Sequence, residues 1–153
     1  MSPARPARRC ARFRTSPASA TSTCTGCHST AVAVQAVVFS GSPRSYRPGN
    51  AAVATNSACT GCGAYAYAYQ YLVQVDRPFA FSTSAERRIH EIRDSVDEVA
   101  SSIVPNSLDH DRLLDFELNG LTSELRAAID DAVAEASARF TADPIERTDR
   151  EER

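Results

Sequence analysis

One segment of the chain occurs twice, and this duplication constrains the fold more than any other feature. The residues CTGCHSTAVAVQAVV, which begin at Cys24, align with CTGCGAYAYAYQYLV, which begins at Cys59, at a constant offset of 35 residues. Self-similarity at a fixed period is typical of proteins in which one supersecondary unit stacks on itself. A chain of 153 residues holds one modest domain or two very small ones, so this duplicated unit must dominate the architecture.

Each copy shows the alternation of a β-strand. From Tyr65 to Val75, bulky side chains fall on one face and mostly Ala and Gln on the other. The residues at 50–57 predict a further strand, so the unit is strand, CxxC turn, strand, and we expect its two strands to pair as an antiparallel hairpin. At the same offset of 35, the residues before the first cysteine pair are a poor match to residues 50–57. We therefore expect the first unit to lack its leading strand.

After the repeats the apolar period becomes helical. Thr83 and Glu86 form a capping-box pattern, and apolar residues then recur at spacings of three and four. Pro105 ends this stretch, and Ser107 can cap a second amphipathic helix that continues to about Phe140. Together they predict a helical hairpin, whose apolar face we expect to pack on the tyrosine face of the repeats.

The predicted fold class is α+β, with a small antiparallel β-hairpin repeat region followed by an α-helical hairpin. We divide the chain into a disordered tail rich in Arg, Pro and Ser, the duplicated CxxC region, the helical hairpin and a charged tail, at 1–22, 23–77, 78–141 and 142–153. Charge changes at the same boundary, since seven arginines and no acidic residues precede Asp76, and ten arginines and 19 acidic residues follow from there.

The composition also excludes several classes of protein. Five of the seven early arginines lie in the first 14 residues, so the basic charge belongs to the tail and we do not expect nucleic-acid binding. No apolar run approaches the ~18 residues of a membrane span, and no apolar stretch of a secretory signal follows the basic start. We expect a soluble protein without a signal peptide or a transmembrane segment. Its partners are expected to be proteins, and a homo-oligomer remains open.

Four cysteines form the candidate site: Cys24, Cys27, Cys59 and Cys62. Two CxxC pairs can supply the four thiolates of a structural zinc site if stacking of the repeats brings both turns together. Disulfides, within a turn or between turns, compete with this interpretation, and free thiols are the third alternative. Cys10 lies in the predicted tail and should be a free thiol.

Three further positions allow predictions. His28 completes the CxxCH pattern of haem attachment, but its counterpart in the second copy is Gly63, so we interpret His28 as a solvent-facing loop residue. His110 is assigned to a polar helix face. Gln35 and Gln70 occupy equivalent positions and predict a side-chain ladder between the copies. None of these patterns indicates a catalytic set, and we expect no enzyme.

The unit NAAVATNSACTGCGAYAYAYQYLV resembles a repeat near the C terminus of actinobacterial chains labelled as peptide zinc metalloproteases, where an amphipathic helical tail follows. The resemblance covers about residues 23–140 and includes the doubled cysteine turn and the Ala-x-Ala-x-Gln strand. It implies no peptidase activity, because the HExxH signature is absent and His90-Glu91 is followed by Ile-Arg-Asp. The hypothesis is a non-enzymatic structural or interaction module, which a fragment of a longer repeat protein would provide. The alternative is a binding module stabilised by zinc on its four cysteines.

Overall fold

The computed structural model of the protein describes residues 18–23, 25–41, 49–102 and 108–142. Short and long strands alternate before two helices. The elements are β1 (Ala18–Ser22), β2 (His28–Ser40), β3 (Ala52–Asn56), β4 (Gly63–Val75), α1 (Thr83–Ser101) and α2 (Leu108–Ala142). The α+β class is therefore confirmed.

The strands form two parallel pairs. β1 pairs with β3, and β2 pairs with β4, so each strand lies beside its counterpart in the other repeat. The two strands of one repeat belong to different sheets that face each other, which is the arrangement called a β-arch. The prediction of antiparallel hairpins is wrong, because alternation along a strand defines its two faces but not its neighbour. A parallel pair needs a long crossover, which the chain between β2 and β4 supplies.

The first repeat does have its leading strand. β1 pairs with β3 at an offset of 34 residues, whereas β2 pairs with β4 at 35. At the shorter offset, three of the five β1 residues are identical to their β3 partners. The expectation of disorder is corrected for residues 18–22, while residues 1–17, with Cys10, lie outside the described residues. The second turn is one residue longer than the first, and it contains Ala58, which has a φ of 52°.

The two sheets pack through small side chains. On the inner face of β2, Ala31 and Ala33 are buried, and Ala33 has no exposed surface. β3 contacts both β2 and β4, whereas β1 contacts β2. The inner face of β2 is therefore covered by both short strands, and that of β4 by one. As a result, Ala64, Ala66 and Ala68 on the inner face of β4 are exposed.

The helical hairpin covers the outer face of the β2–β4 sheet, with α1 on β2 and α2 on β4. The predicted apolar stripe of α1 is confirmed, because Ile89, Ile92 and Val96 are buried. The buried residues that join the helices to the sheet are Ala36, Val38, Ile89, Ile92, Leu125, Ala128 and Ile129.

The start of α1 differs by one residue from the predicted cap. Ser82 is the N-cap residue, and its hydroxyl accepts a hydrogen bond from the backbone N–H of Ala85 at 3.3 Å. Thr83 is instead the first helical residue. The predicted breaker Pro105 and cap Ser107 lie outside the described residues. α2 starts at Leu108 and runs to Ala142, close to the predicted end.

The glutamine ladder predicted between the repeats is confirmed. Gln70 Nε2 donates a hydrogen bond to Gln35 Oε1 at 2.7 Å, and these residues are register partners in the parallel pair. A second rung lies on the short strands, where the Thr21 and Thr55 hydroxyls are 3.3 Å apart. Bonds between equivalent side chains exist only at this register, so they penalise any slip of one repeat along the other.

Candidate functional site

The two CxxC turns stack directly on each other. The backbone N–H of Gly26 in the first turn donates to the carbonyl of Thr60 in the second at 3.0 Å. Gly26 and Gly61 have φ values of 71° and 69°, a left-handed conformation that favours glycine. The glycine of each CTGC motif is therefore explained by backbone geometry, and the stacking brings Cys27, Cys59 and Cys62 to one end of the sheets.

The cysteines of the second turn form a pair. Cys59 and Cys62 are joined as a disulfide, with their Cα atoms 6.0 Å apart. Cys27, the counterpart of Cys62, is likewise in a disulfide. Cys24, the remaining candidate ligand, lies outside the described residues. In the part of the chain that the structure describes, no three His, Cys, Asp or Glu side chains are grouped so as to hold a metal ion.

Asn56 ties all four strands together beside the turns. Its Oδ1 accepts hydrogen bonds from the hydroxyls of Ser22, at 2.5 Å, and Ser29, at 2.9 Å. Its Nδ2 donates to the carbonyl of Gly63 at 2.7 Å. Asn56 belongs to β3, and its three partners belong to β1, β2 and β4, so one side-chain amide links all four strands next to the turns. Sequence analysis missed this role because it depends on residues that are distant in the chain.

A histidine and aspartate pair lies next to the first turn. His28 Nε2 is 3.1 Å from Asp111 Oδ1, and the His28 side chain is only 7% exposed. The rings of His28 and His110 meet edge to face with centroids 6.1 Å apart, and His110 is buried. Both histidine predictions are therefore wrong, because the start of α2 packs over the start of β2 and encloses the two rings.

A row of tyrosines on β4 bonds to α2. Tyr65 donates to Asp115 at 3.2 Å, Tyr67 contacts Asn119 and Thr122 at 3.0 and 3.1 Å, and Tyr71 donates to Asp130. From Tyr65 to Tyr71 the strand rises about 20 Å. The helix rises about 22 Å between the first and last of these polar partners. The two spacings match, which is why one helix face can bond both ends of the row and why the tyrosine face packs on a helix as predicted.

Burial favours the protonated form of the Tyr65 and Tyr71 hydroxyls. Partial burial, followed by the neighbouring Asp115 carboxylate, raises the pKa of Tyr65 well above its ordinary value of 10.0. Partial burial and Asp130 similarly raise the pKa of Tyr71, and Arg126, which lies 5.3 Å above its ring, opposes this shift. Tyr65 and Tyr71 therefore act as hydrogen-bond donors to α2 throughout the neutral range.

Each long strand has one side that faces away from the other, and these sides are called here the β2 edge and the β4 edge. At the ends of their ladder, Gly63 donates to the carbonyl of Cys27 at 3.1 Å and Gly41 donates to that of Val75 at 3.3 Å. A regular parallel ladder between these ends uses the backbone groups of odd-numbered residues of β2. The N–H and C=O groups of even-numbered residues, such as Val32, therefore point to the β2 edge. By the same geometry, those of Ala68 point to the β4 edge.

An apolar cavity of about 150 Å³ lies beneath α1. Every strand residue that lines it belongs to β2, and the helical lining comes mainly from α1. The strand residues are Val32, Val34, Ala36 and Val38, and the apolar α1 residues are Ile89, Ile92, Val96 and Ala100. The tyrosine row has no counterpart here, and the space near Tyr69 between β4 and α2 has a mainly polar lining instead.

Similarity to known proteins gives no further assignment. Comparisons with protein-family models, with curated proteins and with solved structures find no significant match for this chain. In the described part of the chain, neither helix is both long and apolar enough to cross a membrane.

Proposed function

We propose that this chain is a non-enzymatic interaction module that binds a protein segment by adding a strand to an edge of the β2–β4 sheet. The observation that carries the proposal is the long β4 edge. β2 and β4 have 13 residues each, and within the described residues each pairs with one neighbour only. An edge of this kind offers a continuous row of backbone donors and acceptors to an extended peptide.

The sequences of these strands support this proposal. Monomeric proteins protect a sheet edge with charged side chains, proline, bulges or a short strand. β2 and β4 contain no Arg, Asp, Glu or Pro, and their in-register pairing has no bulge. Long regular edges without any of these protective features are expected where another strand is meant to bind.

Selection of peptides against the full chain tests this function. A library of displayed random 12-residue peptides should yield extended binders with alternating side chains, which protect backbone amides of β2 or β4 from hydrogen exchange. Two variants identify the edge. Val32→Pro and Ala68→Pro remove an outward N–H at the β2 edge and the β4 edge, respectively, without losing a bond between these strands. Binders that ignore both variants and protect other surfaces contradict the proposal.

A zinc-stabilised binding module is the second candidate function, and the stacking of the two CxxC turns favours it. In that module Cys24, Cys27, Cys59 and Cys62 would supply four thiolates from two adjacent turns. Such a set resembles a closed structural site, in which metal binding contributes directly to folding. The disulfide between Cys59 and Cys62 is the competing state, so the redox environment would select between them.

Metal analysis of protein purified under reducing conditions separates these states. A zinc module should contain one zinc ion per chain, and a chelator should lower its melting temperature and release four reactive thiols. Chains with paired Cys24→Ser and Cys59→Ser substitutions should lose the metal, whereas Cys10→Ser should retain it. Protein without metal, in which a reductant but not a chelator lowers stability, supports disulfides instead.

A further inference from the structure

We infer that β3 and β4 together bind a further strand–turn–strand unit of a partner protein, so that the ligand is a β-arch with the repeat's own pattern and not a single strand. This inference rests on the proposed function and names its site and its ligand class. The two backbone edges of β3 and β4 that face away from β1 and β2 are together called the open side below.

The open side repeats a surface that the molecule already buries. The first unit, β1 and β2, has its corresponding side covered by the second unit, β3 and β4, which pairs with it in both sheets. The two units have identical residues at several of the paired positions, among them the alanines of the long strands and the glutamine of the ladder. The second unit therefore presents to solvent the kind of surface on which a unit of this type is already bound.

The inner face of β4 shows what is missing. Ala31 and Ala33 on β2 are 3% and 0% exposed, whereas their register partners Ala66 and Ala68 are exposed. The same face of β4 leaves Leu72 41% exposed. A leading strand added beside β3 would cover the alanines of β4, as β3 helps to cover those of β2.

Both strands of the open side direct backbone groups toward the ligand. The ladder between β1 and β3 ends where Ser57 donates to the carbonyl of Ser22 at 3.0 Å. A regular parallel ladder with this end uses the odd-numbered residues of β3, so the N–H and C=O groups of Ala52 and Ala54 point to the open side. Those of Ala68 on β4 point the same way, and within the described residues no strand pairs with β3 or β4 there. A single added strand would bond to one of these two rows, whereas an arch would bond to both.

The glutamine ladder has a direction that leads to the open side. Gln70 Nε2 donates to Gln35 Oε1, and the Gln70 side chain is exposed. A glutamine at the same position of an added unit would donate to Gln70 Oε1 in the same way. This bond would fix the register of the ligand, because it forms only when equivalent residues lie side by side.

A polar cleft beside Tyr69 defines the outward side chains of the ligand. Apart from Tyr69, its described lining comes from α2: Asn119, Thr122, Ser123, Arg126, Ala127 and Asp130. Because no described residue of β2 or α1 lines this cleft, it lies on the side of β4 that faces away from them. Side chains with hydroxyl groups, such as the tyrosines of β4, would find hydrogen-bond partners there, whereas valines like those of β2 would not. The second unit's sequence therefore fits the open side better than the first unit's.

The ligand unit is assigned to a different protein for two reasons. The chain continues from β4 into α1, which crosses back to β2 and so leads away from the open side. A second copy of this chain would have to present its β2 edge, where Val34 already has an interaction partner within the chain. The partner is therefore expected to carry an arch whose corresponding edge is uncovered.

Titration of the full chain with an isolated arch tests the inference. The probe is residues 50–75 of the same sequence, fused to a soluble carrier protein, with Ala68→Arg in the probe so that its own open side does not bind a further unit. We expect one probe bound per chain, with the outward amides of Ala54 and Ala68 in the full chain protected from hydrogen exchange. A fusion of the long strand alone, residues 63–75, should bind at least about tenfold more weakly, because it leaves β3 and the alanines of β4 uncovered.

Variants locate the site and its specificity. Ala68→Arg in the full chain should weaken binding at least about tenfold, because the charge would lie beneath the added leading strand. Ser19→Arg, at an exposed position of β1, is the matched control and should change binding less than about twofold. Both positions are exposed, so both variants should keep the melting temperature of the unmodified chain. Gln70→Leu in the probe should weaken binding about fivefold, and a fusion of residues 18–40 should bind at least about fivefold more weakly than the probe.

The outcomes separate this inference from the proposed function. Equal affinities for the long strand and the arch overturn the inference and leave strand addition intact. Binding of the arch that Ala68→Arg in the full chain leaves unchanged, or no binding of the arch while library-selected peptides bind an edge of the sheet, also overturns the inference alone. If neither the arch nor any selected peptide binds an edge, both proposals fall.

Discussion

β2 and β4 are the same strand of one repeated unit, yet their surroundings differ. Their residues pair one to one at an offset of 35, and both show the same alternation. Ala33 has no exposed surface, whereas its register partner Ala68 is exposed. Residue type does not explain this difference, since both are alanine. It arises from the order of the stack. The inner face of β2 is covered by both β1 and β3, whereas that of β4 is covered by β3 alone.

The same comparison holds on the outer face. The valines of β2 leave a cavity under α1, while the tyrosines of β4 bridge the full distance to α2. The two strands therefore meet their helices differently, through an apolar cavity at β2 and through polar hydrogen bonds at β4.

The largest expected effect comes from placing a charge at the two paired alanines. Ala33→Glu buries a carboxylate between the sheets and should destabilise the fold by more than about 4 kcal/mol. Ala68→Glu places the same group in solvent and should change stability by less than about 0.5 kcal/mol. Chemical denaturation measures both. Similar losses for the two variants would show that β2 and β4 are equally covered.

The second prediction concerns the amide that joins the arches. Asn56→Ala leaves the hydroxyls of Ser22 and Ser29 and the carbonyl of Gly63 without this partner, and should cost about 2–3 kcal/mol. Ser19→Ala, on the exposed face of β1, is the matched control and should be nearly neutral. A denaturation midpoint for Asn56→Ala that equals the control's would mean that the two arches are not tied at this point.

The tyrosine row should make the fold sensitive to high pH. Tyr65 and Tyr71 have a raised pKa in the folded state, so the unfolded chain ionises first as pH rises through about 10. Their contribution is fully present below that pH and is lost above it. The contribution of these two tyrosines to the free energy of unfolding should therefore stay constant between pH 7 and 9. It should fall above pH 10.

A substitution isolates this contribution. Tyr67→Phe removes the hydroxyl that contacts Asn119 and Thr122 and should cost about 1 kcal/mol at pH 7. A triple Phe variant at Tyr65, Tyr67 and Tyr71 should also lose much of the decline above pH 10. An alkaline profile identical to that of the unmodified chain would show that the row does not hold α2 on β4.

The turns should show two effects of opposite sign. Gly61→Ala forces a side chain into a left-handed φ and should cost about 1–2 kcal/mol, although nothing lies within 4 Å of the added Cβ. Ala58→Gly relieves the same strain at the residue that lengthens the second turn and should stabilise by up to about 1 kcal/mol. Thermal melts should therefore shift in opposite directions. A loss of stability in Ala58→Gly would contradict this account of the longer turn.

Local patterns predicted the elements, but not which strands are neighbours. The alternation of Tyr65–Val75 and the stripe through Ile89 and Ile92 gave correct strand and helix positions, because these periods follow from local geometry. The parallel pairing could not be derived in this way, since a strand has the same two faces whichever strand lies beside it. The glutamine ladder was the available signal, because it needs equivalent residues side by side.

The missed features each have a physical cause. β1 was missed because a single offset was kept throughout, and one additional residue in the second turn shifts the leading strands to 34. The burial of His28 and His110 depends on how α2 crosses the start of β2, which no local pattern encodes. The resemblance to actinobacterial repeat proteins and the zinc site remain predictions.

The central claim is that the repeats stack in parallel with equivalent residues side by side, and nuclear Overhauser spectroscopy of the labelled chain tests it most directly. We expect cross-peaks between the side-chain amides of Gln35 and Gln70 and between the backbone protons of Ala20 and Ala54, both register partners. Close Hα–Hα contacts between β1 and β2 should be absent, because those strands lie in different sheets. A ladder of such contacts between β1 and β2, without the two equivalent-residue cross-peaks, would contradict the stacked β-arch and restore the hairpin.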